Sequence, residues 1–189
     1  MKTNATTLLL LTLLMALAQS ALASNTWQVD GVNGNDKNDC KLPQTACKTI
    51  GHAISVASSG DSILVAPAIY TENLTISFSV TVIGAGASTT VIDGEGAGRV
   101  VGITSQNAHV TLSKLDIRNG LAPGAGGGIL SSGTLTINDC TVENNLAKGQ
   151  YGSSGGGIYS TGSLTIYSST ISNNGAFFGR GGGFTPKGA

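Results

Sequence analysis

Two stretches of the chain nearly repeat each other: GGGILSSGTLTINDCTVENN at residues 126–145 and GGGIYSTGSLTIYSSTISNN at residues 155–174. Their glycine triplets are 29 positions apart, and so are the LTI triplets that begin at Leu135 and Leu164. One unit earlier, the VTL triplet at Val110 precedes Leu135 by 25 positions. A unit of about 25 residues whose insertions fall in one loop is typical of a solenoid, in which each repeat forms one coil.

The repeated units carry a β-strand pattern. Each holds short triplets in which apolar and polar residues alternate, without the 3.6-residue period of a helix. Such triplets pair as parallel strands when coils stack ~4.8 Å apart. We therefore predict an all-β fold, a right-handed parallel β-helix, because parallel crossovers are almost always right-handed. The predicted triplets lie at residues 63–65, 74–76, 80–82, 110–112, 115–117, 135–137, 140–142, 164–166 and 170–171.

Position within a coil predicts the environment of each side chain. Leu135 and Ile137 should face the interior with Thr136 outside, and Cys140 falls in an inward column, so we expect a small buried side chain there rather than a nucleophile. The outward threonine column is expected to comprise Thr111, Thr136 and Thr165, with Thr75 and Thr81 continuing it. The glycine triplets predict bends where neighbouring coils leave no room for a Cβ atom.

Three asparagines align after the second triplet of each coil, where the chain must bend. They are Asn119, Asn144 and Asn173. Asparagine tolerates the left-handed backbone of a tight bend, and stacked asparagines form hydrogen-bonded ladders. We predict a structural ladder at these positions. Arg118 and Glu143 precede two of them on the outer surface and are expected to form a surface ion pair.

The N-terminal part of the chain differs from the repeats. Residues 1–23 have a basic start, an apolar core and an Ala-Leu-Ala end, which predicts a cleaved signal peptide. Residues 24–60 form a predicted cap segment, in which an apolar stripe predicts a short amphipathic helix, capped by Thr45 and ended by Gly60. Residues 61–189 are the predicted coils. Export permits disulfides, so Cys40 and Cys47 are expected to pair.

Composition excludes some functions. The net charge is zero, and charged residues make up 11% of the chain, so no basic surface for nucleic acid is expected. The mature chain contains no predicted transmembrane segment. An acidic run, Asp30, Asn33, Asn35, Asp36 and Asp39, lacks the glycine and the bidentate glutamate of a calcium loop. We expect turn chemistry and no cofactor, with calcium as the alternative.

Three longer stretches carry a resemblance to a known family. They are CKTIGHAISVASSGDSILVAPAIYTENLTI at residues 47–76, VTVIGAGASTTVIDG at residues 80–94, and the GGGI…GTLTI…N repeats. The chain resembles secreted bacterial right-handed parallel β-helix proteins of the pectin-lyase-like superfamily, over roughly residues 27–185. The repeats are also similar to those of the polymorphic outer-membrane proteins. The resemblance implies a β-helix and includes both polysaccharide lyases and glycoside hydrolases.

An enzyme of either kind needs acidic side chains, and a lyase also needs a basic one, at one place on the fold. The densest polar group is Asp93 and Glu95 with Arg99, the candidate catalytic residues of the chain. The remaining acids and arginines considered are Glu72, Asp116, Asp139, Glu143, Arg118 and Arg180. A glycosidase needs two carboxylates facing one cleft, so convergence of Glu72, Asp93, Glu95 or Asp116 in a groove would indicate an enzyme.

The predicted function is that of a secreted or cell-surface β-helix scaffold without an evident catalytic site, acting in adhesion or surface interaction. The expected partners are extracellular polysaccharide or a host or cell-surface protein. The alternative is a polysaccharide-binding or polysaccharide-degrading enzyme of the pectate lyase or glycosidase kind. Because the chain stops partway into a new coil after the glycines at residues 181–183, an incomplete C-terminal end is also expected.

Overall fold

The structure is a computed structural model that describes residues 24–149 and 153–178. The predicted signal peptide at residues 1–23, Arg180, the glycines at residues 181–183 and the predicted C-terminal end lie outside the described residues. One α-helix, α1 (Ile50–Val56), and one 3₁₀ turn (Pro43–Thr45) accompany the strands. The prediction of an all-β protein with one short helix near its N-terminus is confirmed.

Eighteen strands are present in the described residues. In chain order they are β1 (Thr26–Val29), β2 (Ser62–Val65), β3 (Ala68–Thr71), β4 (Leu74–Ile76), β5 (Val80–Gly84), β6 (Thr90–Asp93), β7 (Val101–Ile103), β8 (His109–Ser113), β9 (Asp116–Arg118), β10 (Leu121–Ala122), β11 (Ile129–Ser131), β12 (Thr134–Asn138), β13 (Thr141–Glu143), β14 (Leu146–Gly149), β15 (Ile158–Ser160), β16 (Leu164–Tyr167), β17 (Thr170–Ser172) and β18 (Gly175–Phe178).

The strands form four parallel sheets that run along one axis. Sheet 1 has the order β1-β2-β5-β8-β12-β16, and sheet 2 has the order β17-β13-β9-β6-β3. Sheet 3 has the order β15-β11-β7-β4, and sheet 4 has the order β10-β14-β18. The chain visits sheets 1, 2 and 3 in turn and adds sheet 4 from the third coil onward. This arrangement confirms the predicted parallel β-helix, with about four turns.

Aliphatic columns fill the interior. In sheet 1, Leu135 pairs with Val110 and Leu164, and Ile137 pairs with Leu112 and Ile166. The four of these residues that lie in β8 and β12 are almost completely buried: Val110, Leu112, Leu135 and Ile137. Because each inward residue rests on its equivalent in the next coil, the repeat period of the sequence determines the packing of the core.

The cap segment covers the N-terminal end of the β-helix. Ile50, Ala53 and Ile54 face the core from α1, as the apolar stripe predicts. The predicted N-cap was wrong: Thr49, not Thr45, accepts the hydrogen bond from His52 N, at 3.1 Å. The helix ends at Val56, four residues before Gly60. The cap segment also supplies β1, the first strand of sheet 1.

The outer surface follows the predicted register with one exception. Thr81, Thr111, Thr136 and Thr165 form one outward column on sheet 1. Thr75 does not extend it, because β4 belongs to sheet 3. The glycine triplets at residues 126–128 and 155–157 are bends, as predicted: a Cβ atom on Gly127 would lie 2.5 Å from the carbonyl oxygen of Gly156 in the next coil.

Candidate carboxylate–arginine site

The outer face of sheet 2 carries a group of charged side chains from successive coils. Asp93 at the end of β6 pairs in register with Arg118 at the end of β9, which pairs with Glu143 at the end of β13. Asp116 lies two positions before Arg118 on the same strand and therefore on the same face. We call Asp93, Asp116, Arg118 and Glu143 the carboxylate–arginine cluster.

Arg118 joins two carboxylates. Its Nε donates to Asp93 Oδ2 at 2.9 Å, and its Nη1 lies 3.5 Å from Asp116 Oδ2. The predicted Arg118–Glu143 ion pair is not among the salt bridges of the described residues, because the guanidinium turns toward the preceding coil instead. Glu143 remains close enough for its charge to act on the cluster.

Asp93 is fully engaged as a hydrogen-bond acceptor. Besides Arg118, it accepts hydrogen bonds from the Asn119 side chain at 2.9 and 3.0 Å and from the backbone N–H of Glu95 at 3.0 Å. Burial by itself would raise the pKa of Asp93, but these hydrogen bonds outweigh burial and hold the pKa below its ordinary value. Asp93 is therefore an ionised structural anion.

Asp116 has the opposite character. It is only 6% exposed, and its Oδ1 atom is buried without a hydrogen-bond partner in the part of the chain that the structure describes. Burial, followed by the charge of Glu143, raises the pKa of Asp116 to about 6, although Arg118 opposes the shift. A carboxyl group of this kind exchanges a proton near neutral pH, which is the property that general acid–base chemistry requires.

The predicted catalytic residues do not converge on one another. The Glu95 carboxylate accepts a hydrogen bond from Thr71 Oγ1 at 3.2 Å and is exposed. Arg99 points to the next coil, where Nε donates to the Gly126 carbonyl and Nη2 to the Ala125 carbonyl, each at 2.9 Å. Burial lowers the pKa of the Arg99 guanidinium. The cation that contacts Asp93 is Arg118, not Arg99.

Glu72 also serves the scaffold. Its two carboxylate oxygens accept hydrogen bonds from the backbone N–H groups of Ile50 at 2.8 Å and Gly51 at 2.7 Å, at the start of α1. Burial raises the pKa of Glu72 in spite of these two donors. Glu72 therefore satisfies N–H groups that the first turn of a helix leaves without partners.

The aligned asparagines occupy bends. Asn119, Asn144 and Asn173 have φ angles of 55°, 54° and 54°, in the left-handed region. Asn119 also binds Asp93 of the preceding coil. The amide-to-amide hydrogen bond between coils is made one residue later, where Asn145 Nδ2 donates to Asn174 Oδ1 at 3.1 Å.

The acidic run of the cap segment forms turns. Asp30 accepts hydrogen bonds from the N–H groups of Val32 and Asn33, and Asp36 accepts from the N–H groups of Lys48 and Thr49. The oxygens of Asn35 and Asp39 likewise accept from Lys37 N–H and Lys41 N–H. The contacts of Asp30, Asn35 and Asp39 are Asx-type turn chemistry, whereas Asp36 joins the loop to residues 12 and 13 positions later. Calcium at this loop stays a prediction.

The cysteines behave as expected. Cys40 and Cys47 form a disulfide with Cα atoms 4.9 Å apart, which confirms the predicted pair. Cys140 is free and buried, as predicted. Burial raises the pKa of the Cys140 thiol, so the thiolate needed for nucleophilic attack is disfavoured.

Comparisons with protein families, curated proteins and solved structures find no match for this chain. Within residues 24–149 and 153–178, no helix has the length and hydrophobicity needed to cross a membrane.

Two features of the site were missed in the sequence. The Asp93–Arg118 pair is visible there only as a separation of 25 residues, one coil, between the last residues of the VID and DIR triplets. The ladder at Asn145 and Asn174 is signalled by the second asparagine of each Asn-Asn pair. In both cases the signal is coil-to-coil register rather than a local motif.

Proposed function

We propose that the protein is an exported, non-catalytic β-helix scaffold that acts in adhesion or surface interaction. The proposal rests on the contacts of two candidate catalytic residues. Asp93 and Arg99 form directed hydrogen bonds to neighbouring coils. A catalytic group must reach the substrate, whereas the directed contacts of these side chains go to neighbouring coils and support the solenoid. The signal-peptide pattern and the Cys40–Cys47 disulfide support export.

The outer face of sheet 1 is the surface that we assign to adhesion. Its outward positions in the six strands contain no Asp, Glu, Lys or Arg. The hydroxyl column is flanked by Leu64, which is 37% exposed, and Tyr167, which is 58% exposed. A flat face with hydroxyl groups and exposed apolar side chains suits an extended extracellular polysaccharide or a cell-surface protein.

The test is a binding assay with two matched variants. The immobilised protein is exposed to a panel of extracellular polysaccharides and to cell-surface proteins. Thr136→Arg places a charge at the centre of the sheet 1 face, and Thr75→Arg places the same charge on sheet 3. We expect Thr136→Arg to weaken binding at least about tenfold, because binding would bury a charge without a partner. Thr75→Arg should leave binding unchanged. Flat binding of the parent protein across both panels contradicts adhesion.

Polysaccharide cleavage is the second candidate. The specific observation in its favour is Asp116, a buried carboxyl with a pKa of about 6 that shares Arg118 with Asp93. Membership of the pectin-lyase-like superfamily, which the sequence resemblance suggests, is part of this second proposal. Release of oligosaccharides from pectin or another acidic glycan by the purified protein, lost in both Asp93→Asn and Asp116→Asn, establishes the enzyme and overturns the scaffold.

A further inference from the structure

We propose that Cys40, Cys47 and His52 form a redox-gated zinc site, which is closed by the disulfide and opened by its reduction. The two sulfur atoms and a ring nitrogen of His52 all lie within 4.8 Å of one another. The two cysteines are nearly inaccessible, and His52 is half-buried beside them. This group is the one cluster of at least three metal-ligating side chains found within residues 24–149 and 153–178.

The His52 ring nitrogen lies within 4.8 Å of both sulfurs, which is near enough for one zinc ion to reach all three residues after the sulfurs separate. Zinc is bound tetrahedrally with Zn–S near ~2.3 Å and Zn–N near ~2.0–2.1 Å, which places ligand atoms of one ion roughly 3.5–3.8 Å apart. In the disulfide the two sulfurs are covalently joined and are not thiolates. Once the bond is broken, the two sulfurs must separate by roughly 1.7 Å from the ordinary disulfide length of ~2.05 Å to reach tetrahedral spacing around zinc.

The backbone holds both cysteines independently of the disulfide. Gln28 N–H donates to the Cys40 carbonyl at 2.7 Å, and Cys47 N–H donates to the Gln28 carbonyl at 2.9 Å, so the same residue of β1 fixes both. His52 is fixed separately by its N–H bond to Thr49 Oγ1. These backbone hydrogen bonds do not pass through the disulfide, so we expect the three ligand-bearing positions to stay in place on reduction.

The surroundings favour a cation at this point. The described structure gives the His52 ring no hydrogen bond, so a ring nitrogen is free to bind metal. Asp36 lies near His52, and its carboxylate is held by Lys48 N–H at 2.8 Å and Thr49 N–H at 3.0 Å. A fixed anion beside the ligands stabilises bound zinc. Three protein ligands leave the fourth position to water.

The chemistry balances as a two-electron exchange. A dithiol reductant gives two electrons and two protons to the Cys40–Cys47 bond, which becomes two thiols, while the reductant becomes a disulfide. Zinc then binds the two sulfurs as thiolates and releases their two protons to solvent. In an oxidising compartment the disulfide persists and the site stays closed.

Cobalt(II) is the probe, because its visible absorption distinguishes tetrahedral thiolate coordination from binding to oxygen. The purified protein is reduced under anaerobic conditions and titrated with Co²⁺, with circular dichroism recorded at each step. We expect one Co²⁺ per chain, a thiolate charge-transfer band, displacement by Zn²⁺, and no binding to the oxidised protein. His52→Ala should weaken binding at least about tenfold, and the matched control His109→Ala, an exposed histidine on sheet 1, should leave it unchanged.

Three results overturn the proposal. The first is equal affinity in the parent protein and His52→Ala, which shows that the histidine is not a ligand. The second is binding to a Cys40→Ser/Cys47→Ser variant as tight as that to the reduced parent. The third is a reduced protein that binds no cobalt while its circular dichroism stays native, or that loses its fold on reduction and does not regain it with metal.

Discussion

The side chain of Asn174 accepts a hydrogen bond from the side chain of Asn145, one coil away, with 3.1 Å between Oδ1 and Nδ2. Asn145 in turn accepts a hydrogen bond from Gly120 N–H at 2.8 Å and donates to the Ile117 carbonyl at 3.0 Å. Asn145 is 1% exposed. One buried amide therefore links three successive coils and satisfies the Gly120 N–H at the bend between sheets 2 and 4.

Asn145→Ala should destabilise the protein by about 2–4 kcal/mol. The substitution leaves the Gly120 N–H without its hydrogen-bond partner and removes the side-chain hydrogen bonds to Ile117 and Asn174. A buried donor without a partner costs roughly 1–3 kcal/mol, and each other lost hydrogen bond about 1 kcal/mol. The measurement is the free energy of unfolding from denaturant titration. Asn144→Gly is the matched control, because Asn144 is exposed with a φ of 54° that glycine adopts freely. Equal losses in the two variants contradict the buried ladder.

Asp116→Asn should stabilise the protein at neutral pH. The pKa of Asp116 is about 6 in the folded protein, above the ordinary value of about 3.9 for an unfolded chain. The folded state therefore binds the proton more tightly, and stability falls as pH rises from about 4 to about 6. At pH 7.5 the ionised, buried carboxylate destabilises the fold by up to about 3 kcal/mol, which the neutral amide removes.

This prediction is checked by measuring the free energy of unfolding of the parent and Asp116→Asn between pH 4 and pH 8. The difference should be small at pH 4 and should grow to its full value above pH 6 in favour of the variant. Asp139→Asn makes the same change at an exposed position and should produce no comparable divergence. A loss of stability at pH 7.5 in Asp116→Asn shows that the carboxylate is favourably placed instead.

The repeat period predicted the columns of the core but not the contacts between polar side chains. Leu135 aligns with Val110 and Leu164 in sequence, and the same residues pair in the structure. Asp93 and Arg118 are in contact because each is the last residue of a strand in sheet 2. The coil that contains Asp93 has different loop lengths from the later coils, so the alignment of the repeats in sequence does not extend to it. Insertions in loops leave the register between strands unchanged, but they interrupt the regular spacing of equivalent residues in the sequence.

Sheet 4 illustrates a second limit of the sequence. Its strand β14 has the sequence LAKG, which lacks the β-branched residues that favour strands. The strand exists because coil stacking brings its backbone beside β10 and β18, with Ala147 opposite Ala122 and Ala176. Stacking of the coils overrides the low local strand propensity here, so the sequence of a single coil does not predict β14.

Glu72→Gln should loosen the cap helix. The Glu72 carboxylate accepts from both Ile50 N–H and Gly51 N–H, whereas an amide offers one acceptor and turns its NH₂ group toward the other donor. We expect a loss of about 1–2 kcal/mol in the free energy of unfolding and faster hydrogen exchange at Ile50 and Gly51. Glu95→Gln, at an exposed residue with one hydroxyl donor, is the control. Unchanged exchange in Glu72→Gln contradicts a capping role.

Arg99→Lys separates a structural role of Arg99 from a purely electrostatic one. The guanidinium directs two N–H groups at the carbonyls of Ala125 and Gly126, at the bend that opens the next glycine triplet. Lysine keeps the positive charge but cannot reproduce two directed donors, so the variant should lose about 1–2 kcal/mol in the free energy of unfolding. Arg99→Ala should lose about as much or more. If Arg99→Lys unfolds at the same denaturant concentration as the parent, the positive charge alone accounts for the contribution of Arg99 to stability. Arg99 would then again be a candidate for contact with a substrate.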